Sequence, residues 1–83
     1  MPPSPSSNFL RQFEKQCTAA LSDCRQMPSD ETCLRASGRL DGLFRGAAAA
    51  LSTLHPEQDD LVKEIQEITL RFQSELTDIE QSL

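Results

Sequence analysis

Tryptophan and tyrosine are absent from this 83-residue chain, and phenylalanine occurs only four times, as Phe9, Phe13, Phe44 and Phe72. Aromatic side chains bury the most area apiece, so any core here must be assembled from Leu, Ile, Ala and Cys. A chain this short hides only roughly 60% of the surface that its unfolded form exposes, so the core is expected to need support from outside. Clustered positive charge is missing too. Eight Lys and Arg are scattered among thirteen Asp and Glu, for a net charge of −5. That balance opposes binding to nucleic acid or anionic lipid. No apolar run nears the roughly 20 residues that cross a bilayer. Met1-Pro2-Pro3-Ser4-Pro5 has neither the basic nor the apolar stretch of a secretory signal. An intracellular location, cytoplasmic or nuclear, with reduced cysteines is therefore expected.

What the chain does contain is helical periodicity. Residues 1–7, rich in Pro and Ser, are expected to form a disordered tail. Ser7 or Asn8 then offers an N-cap to a first helix over about 8–27, with Leu10, Phe13, Cys17, Ala20, Cys24 and Met27 on one stripe. Pro28 ends it, because the residue before a proline is pushed out of the α region. Ser29, followed by Asp30 and Glu31, caps a second helix over 30–54. Its stripe runs through Cys33, Ala36, Leu40, Leu43, Ala47, Ala50 and Leu54, with Leu34, Phe44 and Leu51 beside it. His55-Pro56 breaks the pattern, and a third helix is expected over 57–82. Leu61, Ile65, Ile68, Phe72, Leu76, Ile79 and Leu83 form its stripe. No period-2 alternation predicts a strand. The expected fold is all-α, either a three-helix up-down-up bundle or a helical hairpin with a long coiled-coil-like C-terminal helix.

Catalytic and metal chemistry find little footing. Cys17 and Cys24 stand two helical turns apart, about 10.5 Å, which is too far for a disulfide. The spacing of Cys17, Cys24 and Cys33 matches no zinc framework, and all three fall on apolar stripes. They read as small buried hydrophobes. His55 stands alone at a helix junction, and Asp59-Asp60 is explained by the dipole of a first helical turn. No enzyme, cofactor or metal is expected. A small metal- or redox-active Cys protein is the distant alternative.

Gly38, Gly42 and Gly46 recur every four residues within the second helix. Each costs about 1 kcal/mol relative to Ala. They mark either a smooth strip for a close helix approach or a helix that breaks near Gly38. Leu70 lies off the third stripe, where it can meet a partner. Glu75, Asp78 and Glu80 oppose the dipole near the C-terminus, so that end is expected to pack against something or to continue in a longer chain.

The three-helix layout, with Phe13-Glu14 early and Leu70-Arg71-Phe72-Gln73-Ser74-Glu75-Leu76 late, resembles the N-terminal helical domains of some SNARE proteins, although the SNARE motif itself is lacking. Phe13-Glu14, Cys17 and Leu21, followed by a later coiled-coil helix, are similar to small subunits of Mediator and comparable assemblies. The expected function is a non-enzymatic helical interaction protein, a small structural or adaptor subunit of a larger complex. Its partners would be other helical subunits, in a hetero-oligomer or a homodimer. The residues expected to meet them are Leu61, Ile65, Ile68, Phe72, Leu76 and Ile79, with Leu70 and the three glycines. The SNARE likeness implies the alternative, an N-terminal regulatory domain of a vesicle-trafficking protein.

Overall fold

The computed structural model of the chain describes residues 5–54 and 59–83. They form three α-helices in the order α1 (Pro5–Gln26), α2 (Asp30–Leu54) and α3 (Asp59–Gln81), with no strand among the described residues. Each helix touches both of the others, and all three contribute to one buried cluster. The class is all-α, and the molecule is a helical bundle.

The helix boundaries differ from the expected ones at both ends of α1 and at the end of α3. Pro5 opens α1, three residues before the expected start, so helix replaces tail at residues 5–7. A proline fits the first turn because its missing N–H has no partner to lose there and its fixed φ is already helical. Ser7 and Asn8, the expected caps, lie inside the first turns instead. At its other end α3 stops at Gln81, one residue early, where Ser82 N–H donates to the carbonyls of Asp78 and Ile79 at 3.2 and 3.1 Å. Residues 55–58, including His55 and the expected helix start at Glu57, lie outside the described residues. With 23 residues α3 is no longer than α2, with 25, so it does not stand out as a long C-terminal helix.

The turn between α1 and α2 follows the sequence closely. Ser29 Oγ accepts from Thr32 N–H at 3.1 Å, while Thr32 Oγ1 accepts from Ser29 N–H at 2.9 Å. These reciprocal bonds form a capping box with Thr in the place usually held by Glu or Gln. Met27, expected on the α1 stripe, is 75% exposed. It falls one residue beyond α1, and Pro28 turns it off the helical path.

Leu21, Leu40 and Ile65 are the largest fully enclosed side chains, and Cys17, Cys24 and Cys33 fill the space around them. α2 runs unbroken through its glycines. Its buried line passes from Cys33, Ala36 and Leu40 to Leu51, leaving Ala50 exposed. Leu51 stands eighteen positions after Cys33, which is five turns at about 3.6 residues each, so the two point the same way. The expected stripe stepped too briefly and rotated away. Leu34, expected beside it, faces solvent at 74% exposure, and Leu83 lies past the end of α3 and is also exposed.

Candidate interaction surface

The α3 stripe is used up inside the chain. Leu61, Ile65 and Leu76 are buried, and Ile68, Phe72 and Ile79 are half-buried against the same cluster. Six residues expected to meet a partner thus pack against the core shared with α1 and α2, and Ile68, Phe72 and Ile79 keep part of their surface exposed. Thr69 joins them at 4% exposure, a position the apolar pattern passes over. Its hydroxyl donates to the Ile65 carbonyl at 2.7 Å, so no buried polar atom is left unsatisfied there. One signal was available, since Thr69 stands four residues after Ile65 and three before Phe72.

The glycine row is open instead. Gly38, Gly42 and Gly46 are exposed, and a Cβ added at any of them would meet nothing within 4 Å. Among the described residues, no neighbour uses the space that their missing side chains leave. Gly42 and Gly46 edge an apolar groove between α1 and α2, lined also by Phe9, Phe13, Leu43 and Ala47. The groove continues along Gln16, Ala19 and Ala20 to Arg39. Helical spacing explains the alignment. Phe9, Phe13, Gln16 and Ala20 recur at steps of three or four on α1, as Arg39, Gly42 and Gly46 do on α2. Among the described residues no carboxylate lines this groove, and Arg39 is its one charged lining residue. Arg39 stands 3.8 Å from Asp23 in a loose pair, with both side chains more than half exposed.

Leu70 is 55% exposed on the outer side of α3, as expected, with Glu67 and Ser74 exposed one turn to either side. Met27, Leu34 and Leu83 are the other exposed large apolar side chains among the described residues, near the α1–α2 turn and the end of α3.

The thiols are sheltered. All three cysteines are free and buried. Burial lifts the Cys17 thiol to about 11, with the Glu14 carboxylate adding to the effect. Burial likewise raises Cys24, with help from nearby Cys33, and Cys24 Sγ donates to the Leu21 carbonyl at 3.2 Å. Reactive cysteines need the opposite shift, toward thiolate. Among the described residues no group of three His, Cys, Asp or Glu is placed to hold a metal ion. No described helix is long and apolar enough to cross a membrane.

Comparison with known protein families, curated proteins and solved structures finds no match to the chain.

Proposed function

We propose that the chain is a non-enzymatic helical interaction protein, a small structural or adaptor subunit that takes a partner helix into the groove between α1 and α2. One observation carries this. Gly42 and Gly46 leave a gap beside Phe9 and Leu43 that none of the described residues fills. Interior glycines weaken a helix by about 1 kcal/mol each, and close helix approach is a use that would offset the loss. Grooves of this kind are where amphipathic helices lay their apolar faces. Coiled-coil packing of the α3 stripe with a partner would first require opening the core, so the groove is the better candidate surface.

The bundle is read as up-down-up. Arg25 pairs with Glu75 and Glu14 with Arg71, so later residues of α1 meet later residues of α3. That order suits parallel α1 and α3 with α2 antiparallel between them.

Purification of the full chain from its native source, beside a Gly46→Glu variant, tests the function. A stoichiometric helical partner recovered with the natural chain and lost with the variant supports it. Equal recovery with both, or a partner with neither, removes it. The core shared by three helices also favours a second reading, an autonomous regulatory domain like those at the N-terminus of SNARE proteins. A sharp melt independent of concentration, from a monomer that recovers no stoichiometric partner, would select that alternative.

A further inference from the structure

Three of the four large apolar side chains that the described residues expose, Met27, Leu34 and Leu83, lie where the α1–α2 turn meets the close of α3. Scattered singly such residues are ordinary, but gathered and rimmed by polar groups they mark a contact surface. Two clefts open at this end of the bundle. Pro28, Asp78, Ile79 and Leu83 line one, and Asp30, Leu34 and Glu80 line the other. The end is also negative by a count that its ion pairs do not cancel. Arg25 is held by Glu75, Arg35 by Glu31 and Arg39 loosely by Asp23. Asp30, Asp78 and Glu80 are exposed and enter no ion pair among the described residues. No Lys or Arg of the described residues lines either cleft. The cations that no carboxylate holds stand elsewhere. Lys63 comes fifteen residues before Asp78, about 22 Å along α3, and Arg11 and Lys15 occupy the first half of α1. α3 has no basic residue in its last turn, so its own sequence leaves the negative pole of its dipole unanswered.

We infer that this end of the bundle docks a basic amphipathic helix of a partner protein. Its apolar stripe would rest on Met27, Leu34, Ile79 and Leu83, and its Lys or Arg side chains would meet Asp30, Asp78 and Glu80. The surface shares no lining residue with the α1–α2 groove and does not depend on it. Two features choose the occupant. Leucines and an adaptable methionine accept an apolar helix face. Three uncompensated carboxylates favour a cationic partner over an acidic one. A second copy presenting this same end would set like charges against each other, as a two-fold contact requires. One docked helix is at the small end of specific interfaces, so the association is weak, and salt weakens it further.

Fluorescence anisotropy of a labelled helical peptide, titrated with the whole chain, tests this. The probe is about five turns long, with leucines on one face and lysines on the other. A control probe carries glutamates in place of the lysines. The lysine probe is expected to bind, less tightly in high salt, and the glutamate probe at least about tenfold more weakly. Met27→Ser with Leu34→Ser removes the apolar contact and should weaken the lysine probe at least about tenfold. Asp30→Asn with Asp78→Asn and Glu80→Gln removes the charge and should also cost about tenfold. All five side chains are exposed, so both variants should fold, as circular dichroism would verify. Asp60→Asn with Glu64→Gln and Glu67→Gln makes the same change of net charge elsewhere on α3 and should shift affinity less than about twofold. An equal loss with that distant set would reveal undirected attraction to an acidic chain and overturn the site. Undiminished binding by either local variant, or no binding by the natural chain, overturns it too. Gly46→Glu should leave the affinity unchanged, and binding lost there alone would put the peptide in the α1–α2 groove and exclude this end. Sedimentation velocity addresses the rival occupant, since self-association that Leu34→Ser abolishes would assign this end to a second copy instead.

Discussion

Arg25 on α1 reaches across to α3 and donates through both Nε and Nη2 to one carboxylate oxygen of Glu75, at 3.1 and 2.6 Å. Both side chains remain about two-fifths exposed, so water screens much of the attraction. Arg25→Ala should cost less than about 1 kcal/mol in urea unfolding. A double-mutant cycle with Glu75→Ala should give a small coupling that shrinks in high salt. A coupling of several kcal/mol would mean that the pair is far better shielded than its exposure implies.

Cys17 should make stability depend on alkaline pH. Its ordinary value is 9.0 and burial raises it to about 11 in the folded chain. Between those values the unfolded chain releases the proton and the folded chain keeps it. The contribution is therefore complete below about pH 9 and is lost as pH rises toward 11, for a total of about 2 to 3 kcal/mol. Chemical unfolding across that window should show the decline, and Cys17→Ala should flatten much of it. Equal slopes in the two proteins would exclude Cys17 as the source.

Replacing the exposed glycines should stabilise the bundle. A methyl at Gly38, Gly42 or Gly46 meets no neighbour, so each change to Ala should raise stability by about 0.5 to 1 kcal/mol. The triple variant should show a higher midpoint in thermal unfolding. A loss of stability in any single variant would reveal a packing role for that glycine within the chain.

The two faces of α3 should respond differently to charge. Ile65 is fully buried, and even Ile65→Ala should cost about 2 to 5 kcal/mol. Phe72→Asp should also disrupt the fold, whereas Leu70→Asp should change stability by no more than about 0.5 kcal/mol. Circular dichroism melts of the three would check the ranking. A normal melt for Phe72→Asp would contradict its place beside the core.

The sequence made the helix count and the centre of the core legible, since Cys17, Cys24, Leu40 and Ile65 repeat at helical steps and the Ser29 cap announces α2. Periodicity locates a face but does not say what covers it. The α3 stripe therefore looked available to a partner until three-dimensional packing placed α1 and α2 over it. Thr69 escaped because its hydroxyl hides its burial, being satisfied by its own helix. Met27 was misplaced because Pro28 ends α1 before it, and Leu34 because one residue beyond Cys33 turns about 100° around the helix, away from the core. The glycine spacing hinted at an open strip, but the groove beside it depends on where α1 lies, and no local pattern encodes that.

Ejection of Met27 by Pro28 divides the described sulfur atoms into two chemical populations, three thiols behind packed helices and one thioether in water. Mild peroxide should thus convert Met27 to its sulfoxide while the thiols stay reduced and the helices stay intact. Mass spectrometry of the treated, still-folded chain would find the added oxygen there, and a thiol oxidised first would mean that the interior opens to solvent more readily than its packing implies.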